Sequence, residues 1–297
     1  MGPEARITGH CNLLAISCRS DPSSRRTSYS LLLIALLSIF LDACKEAQAP
    51  PPLRTGAFSA VFAGRNLTPR RLSLQIAYGP NLSNERYFMY VPSSYTGAEP
   101  YGLIVFTYAG SAARLPLGWQ AVLEARKYIF LSAENAGNDL PRPRRLGLAV
   151  IGALRVMRAY NVDPSRVYAA GFSGGARVAG LLGFYQSDVF RGTLQNCGAD
   201  FYRTVPVVDA TSQIDTAGNA YGLLEASAEE VRQAKNVRFA LITGTGDFRR
   251  GNILDIFHGG FEQDGFQAKL FDVRGMGHDI CDGQTLARAL DYLEKGS

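Results

Sequence analysis

Histidine and charge are both in short supply in this sequence. Three of the 297 residues are histidine, and charged residues make up 19% of the chain. The net charge is +5, and the basic residues are interleaved with acidic ones rather than gathered into a stripe. Nucleic-acid-binding proteins usually carry such a stripe, so we expect no nucleic-acid partner. Hydrophobic residues make up 46%, which suffices for the core of one large or two small domains.

The N-terminal segment lacks an apolar run long enough to cross a bilayer, which takes about 20 residues. Its apolar run covers only residues 31–41 and is preceded by Arg25 and Arg26. A run of this length, with positive charge before it, is typical of the apolar core of a secretory signal. We therefore predict that residues 1–43 are a leader and that the protein is exported.

A lipid attachment site is predicted at the end of this run. The stretch Leu41-Asp42-Ala43-Cys44 resembles the bacterial lipobox, with Asp42 where a small residue is usual. Lipidation at Cys44 would anchor the protein to the membrane of the bacterial cell envelope, and residues 44–70 would include a stiff, proline-rich tether. The alternatives are an ordinary signal cleaved nearby, which gives a secreted protein, or a short membrane anchor.

Few cysteines remain once this segment is set aside. Of the five cysteines, Cys11 and Cys18 precede the apolar run, and Cys44 is the predicted lipidation site. Cys197 and Cys281 are therefore left in the mature chain, in a compartment that permits disulfides. They form either one disulfide or two buried free thiols, and the sequence favours neither alternative.

The remaining sequence alternates strand-like and helix-like segments. The strand-like stretches 72–79 and 86–92 flank a turn, which predicts an antiparallel pair. Later apolar runs such as 128–133 have the length of buried strands, and helical patterns lie between them. We predict an α/β fold over 71–297, with a mostly parallel sheet of about eight strands and helices on both faces. In such sheets, ligands bind at the carboxyl ends of the strands.

A candidate nucleophile lies at one of these strand ends. The strand-like run RVYAAG leads into GFSGG, and helix-like residues follow Ser173 at once. A Gly-x-Ser-x-Gly pattern between a strand and a helix is typical of a nucleophile elbow, and Gly171 and Gly175 allow close backbone approach. Glycine-rich turns also bind phosphates, but no Lys-Ser/Thr pair follows this one. We predict that Ser173 is the nucleophile.

A serine nucleophile needs a base and an acid to orient it. His10 lies in the leader and His258 lies inside a helical pattern, whereas His278 directly follows the last predicted strand. We therefore predict His278 as the base. Asp247 follows a strong strand and lies between the serine and the histidine in chain order, so we predict it as the acid, with Asp200 as the alternative. A turn or N-cap role for Asp247 is the other interpretation.

An oxyanion hole completes the predicted site. One donor is the backbone N–H of Gly174, directly after the nucleophile. The second is predicted to be the backbone N–H of Ser111, in the loop after the first buried strand. This chemistry needs no metal ion and no organic cofactor, and we expect none.

Several stretches together resemble the α/β-hydrolase superfamily, and more narrowly the exported esterases that are similar to polyhydroxybutyrate depolymerases and feruloyl esterases. These stretches are RYFMYVPSSY, YNVDPSRVYAAGFSGG, SDVFRGTLQNCG, ITGTGDF and VRGMGHD. The resemblance covers about residues 71–295 and implies Ser173, Asp247 and His278 as the catalytic residues. One departure is Ala109-Gly110, where those esterases usually carry His-Gly. The segment ENAGND (134–139) is expected to line or support the pocket.

These observations predict a serine esterase that cleaves small or polymeric carboxylic esters through an acyl-enzyme. One alternative is a non-catalytic ligand-binding lipoprotein on the same scaffold, which the changed Ala109-Gly110 loop favours. Another is a peptidase of the same fold, although the sequence shows no second domain that would restrict peptide access.

Overall fold

The computed structural model describes residues 54–62, 85–206 and 226–296. The predicted leader with Cys44 and the predicted strand at 72–79 lie outside these ranges and stay predictions. None of the helices in the described ranges is long and apolar enough to span a membrane.

Eight strands form one sheet in the described part of the chain. They are β1 (Gly56–Val61), β2 (Arg86–Val91), β3 (Tyr101–Thr107), β4 (Tyr128–Ala133), β5 (Val162–Phe172), β6 (Gly192–Asn196), β7 (Arg238–Gly246) and β8 (Gln267–Gly277). Their order across the sheet is β1-β2-β4-β3-β5-β6-β7-β8. β2 runs antiparallel to both β1 and β4, and all other neighbours are parallel. The predicted mixed, mostly parallel sheet is therefore confirmed.

Six α-helices connect or follow these strands in the described ranges. They are α1 (Gln120–Arg126), α2 (Arg142–Ala159), α3 (Gly174–Tyr185), α4 (Ala228–Ala234), α5 (Arg250–Ile256) and α6 (Gly283–Leu293). A π-helical turn, Phe257–Glu262, extends α5. The patterns at 144–160, 174–185 and 286–296 match α2, α3 and α6 to within a few residues.

The N-terminal edge of the sheet differs from the sequence-based prediction. β1 lies inside residues 44–70, which we predicted as a tether, so the sheet begins before the predicted domain boundary at residue 71. Alternate residues of β1 are half-buried and exposed, and the strand pairs with β2 from Gly56 opposite Val91 to Val61 opposite Arg86. Its run GAFSAV is rich in small residues, so its strand pattern is weak and pairing with β2 decides its structure.

Both faces of the sheet are covered, which explains why its central strands read as continuous apolar runs. Every residue of β3 and β4 is buried. One apolar cluster packs α2, α3 and α5 against one face, and a second packs α1 and α6 against the other. Because β5 to β8 run parallel, the residues that follow them lie at a common edge of the sheet.

Candidate active site

Ser173 occupies a strained turn between β5 and α3. Its backbone φ is 56°, which a residue with a side chain rarely adopts, and its N–H donates to the carbonyl oxygen of Asn196 at 2.8 Å. The turn is tight because a side chain at Gly171 would overlap Gly175, and one at Gly175 would overlap the carbonyl oxygen of Thr107. The glycines of the sequence pattern therefore permit the backbone packing that holds the serine in this conformation.

The structure brings Ser173, His278 and Asp247 together in one line of hydrogen bonds. Nε2 of His278 lies 3.0 Å from Oγ of Ser173, and Nδ1 of His278 lies 2.7 Å from Oδ1 of Asp247. An ionised Asp247 can accept hydrogen bonds but cannot donate them, so Nδ1 carries the ring proton and Nε2 is left to accept the serine hydroxyl proton. This arrangement can convert the serine hydroxyl into a nucleophile.

The surroundings of Asp247 keep it ionised although it is buried. Burial raises the pKa of this carboxyl, but hydrogen bonds from His278, the N–H of Arg249 and the hydroxyl of Thr243 outweigh that effect and bring the pKa below its ordinary value. The Arg249 N–H lies 3.0 Å from Oδ1, and the Thr243 hydroxyl lies 2.8 Å from Oδ2. Asp247 is therefore a fixed negative charge that stabilises an imidazolium.

Two phenyl rings flank the imidazole of His278. The centroid of the imidazole ring lies 5.1 Å from the centroid of the Phe172 ring and 4.2 Å from the centroid of the Phe248 ring. Phe248 is 59% exposed, which is unusual for a large apolar residue, and it directly follows Asp247 in sequence. The ring of Phe248 therefore presents an apolar surface next to the reacting groups, where the non-reacting part of a substrate would lie.

Cys197 and Cys281 are buried free thiols. Of the two alternatives that the sequence left open, the structure has the two free thiols and not the disulfide. Sγ of Cys197 lies 3.2 Å from the carbonyl oxygen of Asp279 and 3.6 Å from that of Gly277. The N–H of Cys281 donates instead to Oδ1 of Asn196. The pKa of each thiol is raised, mainly because the thiol is buried. Both thiols therefore stay protonated.

Three potential metal ligands do lie close together here. The ligand atoms of Cys197, Asp247 and His278 all fall within 4.8 Å of one another. The same carboxylate and imidazole form the hydrogen bonds that align Ser173, so a metal ion in this position would compete with the serine chemistry.

The loop that carries the predicted second oxyanion donor is held by two other parts of the chain. The N–H groups of Asn135 and Asn138 donate to the carbonyl oxygens of Ser111 and Ala109, each at 2.8 Å. The buried guanidinium of Arg145, on α2, donates to the carbonyl oxygens of Tyr108 at 3.0 Å and Ala136 at 2.8 Å. These contacts attach the loop to segment 134–139. The same loop carries Ala109 where the esterases that the sequence resembles usually have histidine.

The alternative candidates lie elsewhere. His258 is exposed, and its Nδ1 lies 2.6 Å from a carboxylate oxygen of Glu262. Asp200 is fully buried, and its Oδ1 accepts the N–H of Phe201. Among the described residues, the carboxylate that contacts His278 is that of Asp247.

Comparisons with known proteins agree with this architecture. No family model matches the chain. Over 139 residues the chain is 27% identical to poly(3-hydroxyalkanoate) depolymerase C of Paucimonas lemoignei. The matched region covers 42% of this chain and 34% of that protein. The chain thus spans about a third of the length of this relative.

Solved structures share the fold at low identity. A ferulic acid esterase matches with a TM-score of 0.56 and 15% identity, over 82% of this chain and 98% of its own. The protein has the α/β-hydrolase fold. Dipeptidyl peptidase 4 of Porphyromonas gingivalis matches with a TM-score of 0.52 and 14% identity, over 71% of this chain and 33% of its own. Because an esterase and a peptidase share this fold, the α/β-hydrolase fold alone does not tell whether the substrate is an ester or a peptide.

Sequence reasoning missed Arg145 and assigned no contact to two other residues of this α/β-hydrolase site. Arg145 reads as part of the polar face of α2, yet it is 1% exposed and binds two carbonyl oxygens. Asn138 belongs to segment 134–139, which the sequence predicts to line or support the pocket, and Cys197 enters the sequence analysis only as a cysteine whose state is open. A buried arginine or thiol beside a strand end could have been suspected only once neighbouring elements were placed, because each contact joins residues from different elements.

Proposed function

We propose that this protein is a serine hydrolase that cleaves carboxylic esters. The observation that carries the proposal is the continuous hydrogen-bonded line from Asp247 through His278 to Ser173. The line lies at the carboxyl edge of the sheet, where an α/β-hydrolase fold exposes its catalytic serine.

The geometry supports an ordinary acyl-enzyme mechanism. Oγ of Ser173 attacks the ester carbonyl carbon while Nε2 of His278 takes the hydroxyl proton, and the carbonyl oxygen becomes an oxyanion that the N–H groups of Gly174 and Ser111 bind. The tetrahedral intermediate collapses, the proton passes from His278 to the departing alkoxide, and an alcohol leaves. Water then attacks the acyl-enzyme with His278 again as base, which releases a carboxylic acid and restores the serine. Asp247 stays ionised throughout.

An ester is favoured over a peptide for two reasons. A relative found by sequence is a depolymerase of a polyester, and one of the structural matches that cover nearly a whole solved chain is an esterase. The peptidase match instead covers 33% of that peptidase. The exposed ring of Phe248 beside His278 also suits an apolar acyl or alcohol group.

A non-catalytic binding protein is the second candidate, and the Ala109-Gly110 loop is the observation that favours it. The hydrogen bonds from Asn135, Asn138 and Arg145 argue against it, because they hold this loop in place without the usual histidine.

The test is covalent labelling with a fluorophosphonate probe together with hydrolysis of short p-nitrophenyl esters. We expect the wild-type protein to be labelled and active, and the Ser173→Ala variant to be unlabelled and inactive with an unchanged melting temperature. Ser165→Ala is a matched control, because it removes a hydroxyl that contacts Asp163 near the start of β5, at the opposite end of the strand from the nucleophile. Labelling that persists in Ser173→Ala would refute the proposal. Tight ligand binding without turnover of any ester would favour the binding protein.

A further inference from the structure

Segment 134–139 has a side chain directed at the nucleophile elbow. The carboxamide of Asn138 lies over Gly174, so that a Cβ added to this glycine would overlap Oδ1 of the carboxamide and would lie 2.8 Å from its Nδ2. Asn138 is exposed, as is Ser111 in the neighbouring loop. Its carboxamide is thus accessible to a substrate and lies next to the residue whose N–H is the expected first oxyanion donor.

The backbone of Asn138 is fixed to the other side of the same site. Its N–H donates to the carbonyl oxygen of Ala109 at 2.8 Å. Gly137 packs so closely on the same loop that an added Cβ would lie 3.0 Å from Oγ of Ser111. The guanidinium of Arg145 holds the carbonyl oxygen of Ala136, two residues before Asn138. The carboxamide therefore belongs to a segment that is held to the loop of Ala109, Gly110 and Ser111, here called the oxyanion loop.

We propose that the Nδ2–H of Asn138 donates a third hydrogen bond to the oxyanion, beside the N–H groups of Gly174 and Ser111. This inference rests on the proposed function, because it concerns the tetrahedral intermediate of acyl transfer. Rotation of the carboxamide by half a turn exchanges Oδ1 and Nδ2 at almost the same positions, so a donor faces the site when a negative oxygen forms. A neutral amide needs no change of protonation to do this.

The placement also accounts for the glycine at position 174. Any side chain at this position would displace the carboxamide, so Gly174 and Asn138 are needed together. Donors that are already oriented stabilise developing charge without having to reorganise during the reaction. The contribution of Asn138 is therefore expected in kcat and not in KM, since the oxygen carries its full charge only in the tetrahedral state.

The test compares Asn138→Ala and Asn138→Asp with wild-type protein on p-nitrophenyl esters. Removing one side-chain donor of this kind is expected to lower kcat by about a hundredfold, with KM changed less than about threefold. Asn138→Asp keeps the shape, loses the donor and adds a negative charge, so its kcat should be lower still. Asn161→Ala is the control and should keep wild-type kcat, because this exposed asparagine lies just before β5, at the opposite end of the strand from Ser173.

A thionoester substrate separates a donor from a residue that only supports the loop. Sulfur accepts hydrogen bonds weakly, so the loss caused by Asn138→Ala should shrink when sulfur replaces the carbonyl oxygen. Equal losses on the oxygen and sulfur substrates would overturn the proposal, as would a kcat for Asn138→Ala within twofold of wild type. A wild-type protein that is neither labelled nor active would instead refute the proposed function itself.

Discussion

His278 and Asp247 lie side by side because their two strands are paired up to their last residues. Gly246 of β7 is opposite Gly277 of β8, after a shift in register that follows Gly244. The next residue on each strand is a member of the site, and Nδ1 of His278 lies 2.7 Å from Oδ1 of Asp247 across 31 positions of sequence. Strand pairing therefore sets the distance between acid and base.

Asp247→Asn is expected to lower kcat by about 10⁴-fold with little change in KM, because an amide next to Nδ1 favours the wrong ring tautomer. An amide nitrogen in the place of Oδ1 no longer accepts the N–H of Arg249, so a small loss of stability is expected, while the oxygen in the place of Oδ2 still accepts the hydroxyl of Thr243 and the fold should persist. Ester hydrolysis and thermal melting check this prediction. Asp272→Asn, on exposed β8 surface, is the control. Retention of more than a tenth of the activity in Asp247→Asn, with loss in Asp200→Asn, would transfer the acid role to Asp200.

Gly175→Ala is expected to destabilise the protein by about 1–3 kcal/mol and to abolish fluorophosphonate labelling, since the new methyl group overlaps the backbone of Thr107. Gly277→Ala is the matched control for stability, because a Cβ there has no atom within 4 Å. Urea unfolding measures both changes. Equal stability of the two variants would show that the elbow does not require the close approach at Gly175.

Asp264 is expected to make the stability depend on acid pH. The Arg203 guanidinium, more than the opposing burial, holds the pKa of this carboxyl below its ordinary value, and Tyr202 adds a hydrogen bond. A lowered folded-state pKa means that the stabilisation is complete above the unfolded value of about 3.9 and is lost as the pH falls through the folded value. Asp264→Asn should therefore lose about 1–2 kcal/mol at pH 7, and this difference should shrink as the pH falls through the folded-state pKa of Asp264.

Urea unfolding of wild type and Asp264→Asn from pH 7 down to the acid limit measures this difference. Asp188→Asn, at an exposed position, is the control and should follow wild type throughout. A difference between Asp264→Asn and wild type that is constant with pH would contradict the linkage.

Cys197 and Cys281 are expected to resist alkylation in the native protein, because both are buried and burial raises the pKa of each thiol. Both should react fully once the protein is unfolded without reductant. Mass spectrometry of iodoacetamide-treated protein, with and without denaturant, counts the modified residues. A peptide pair linked through these two cysteines in a non-reduced digest would contradict the free-thiol structure.

The sequence by itself determined the order of strands and helices from β2 onward and the position of the candidate nucleophile. These features are local: apolar runs of strand length, helical spacing in α2 and α3, and glycines on both sides of Ser173. The rule that ligands bind at strand ends then limited the acid and base to a few residues. His278 and Asp247 were selected in this way, and the structure brings both into contact with one another.

The tertiary structure alone decided the features that depend on pairs of distant segments. β1 becomes a strand through pairing with β2, and its small residues carry little signal of their own. The state of Cys197 and Cys281 depends on where β6 and the loop after β8 place the two sulfur atoms. Arg145 and Asn138 acquire roles only because α2 and segment 134–139 pack against the oxyanion loop. Contacts of this kind are set by packing between elements, and no periodicity within one element encodes them.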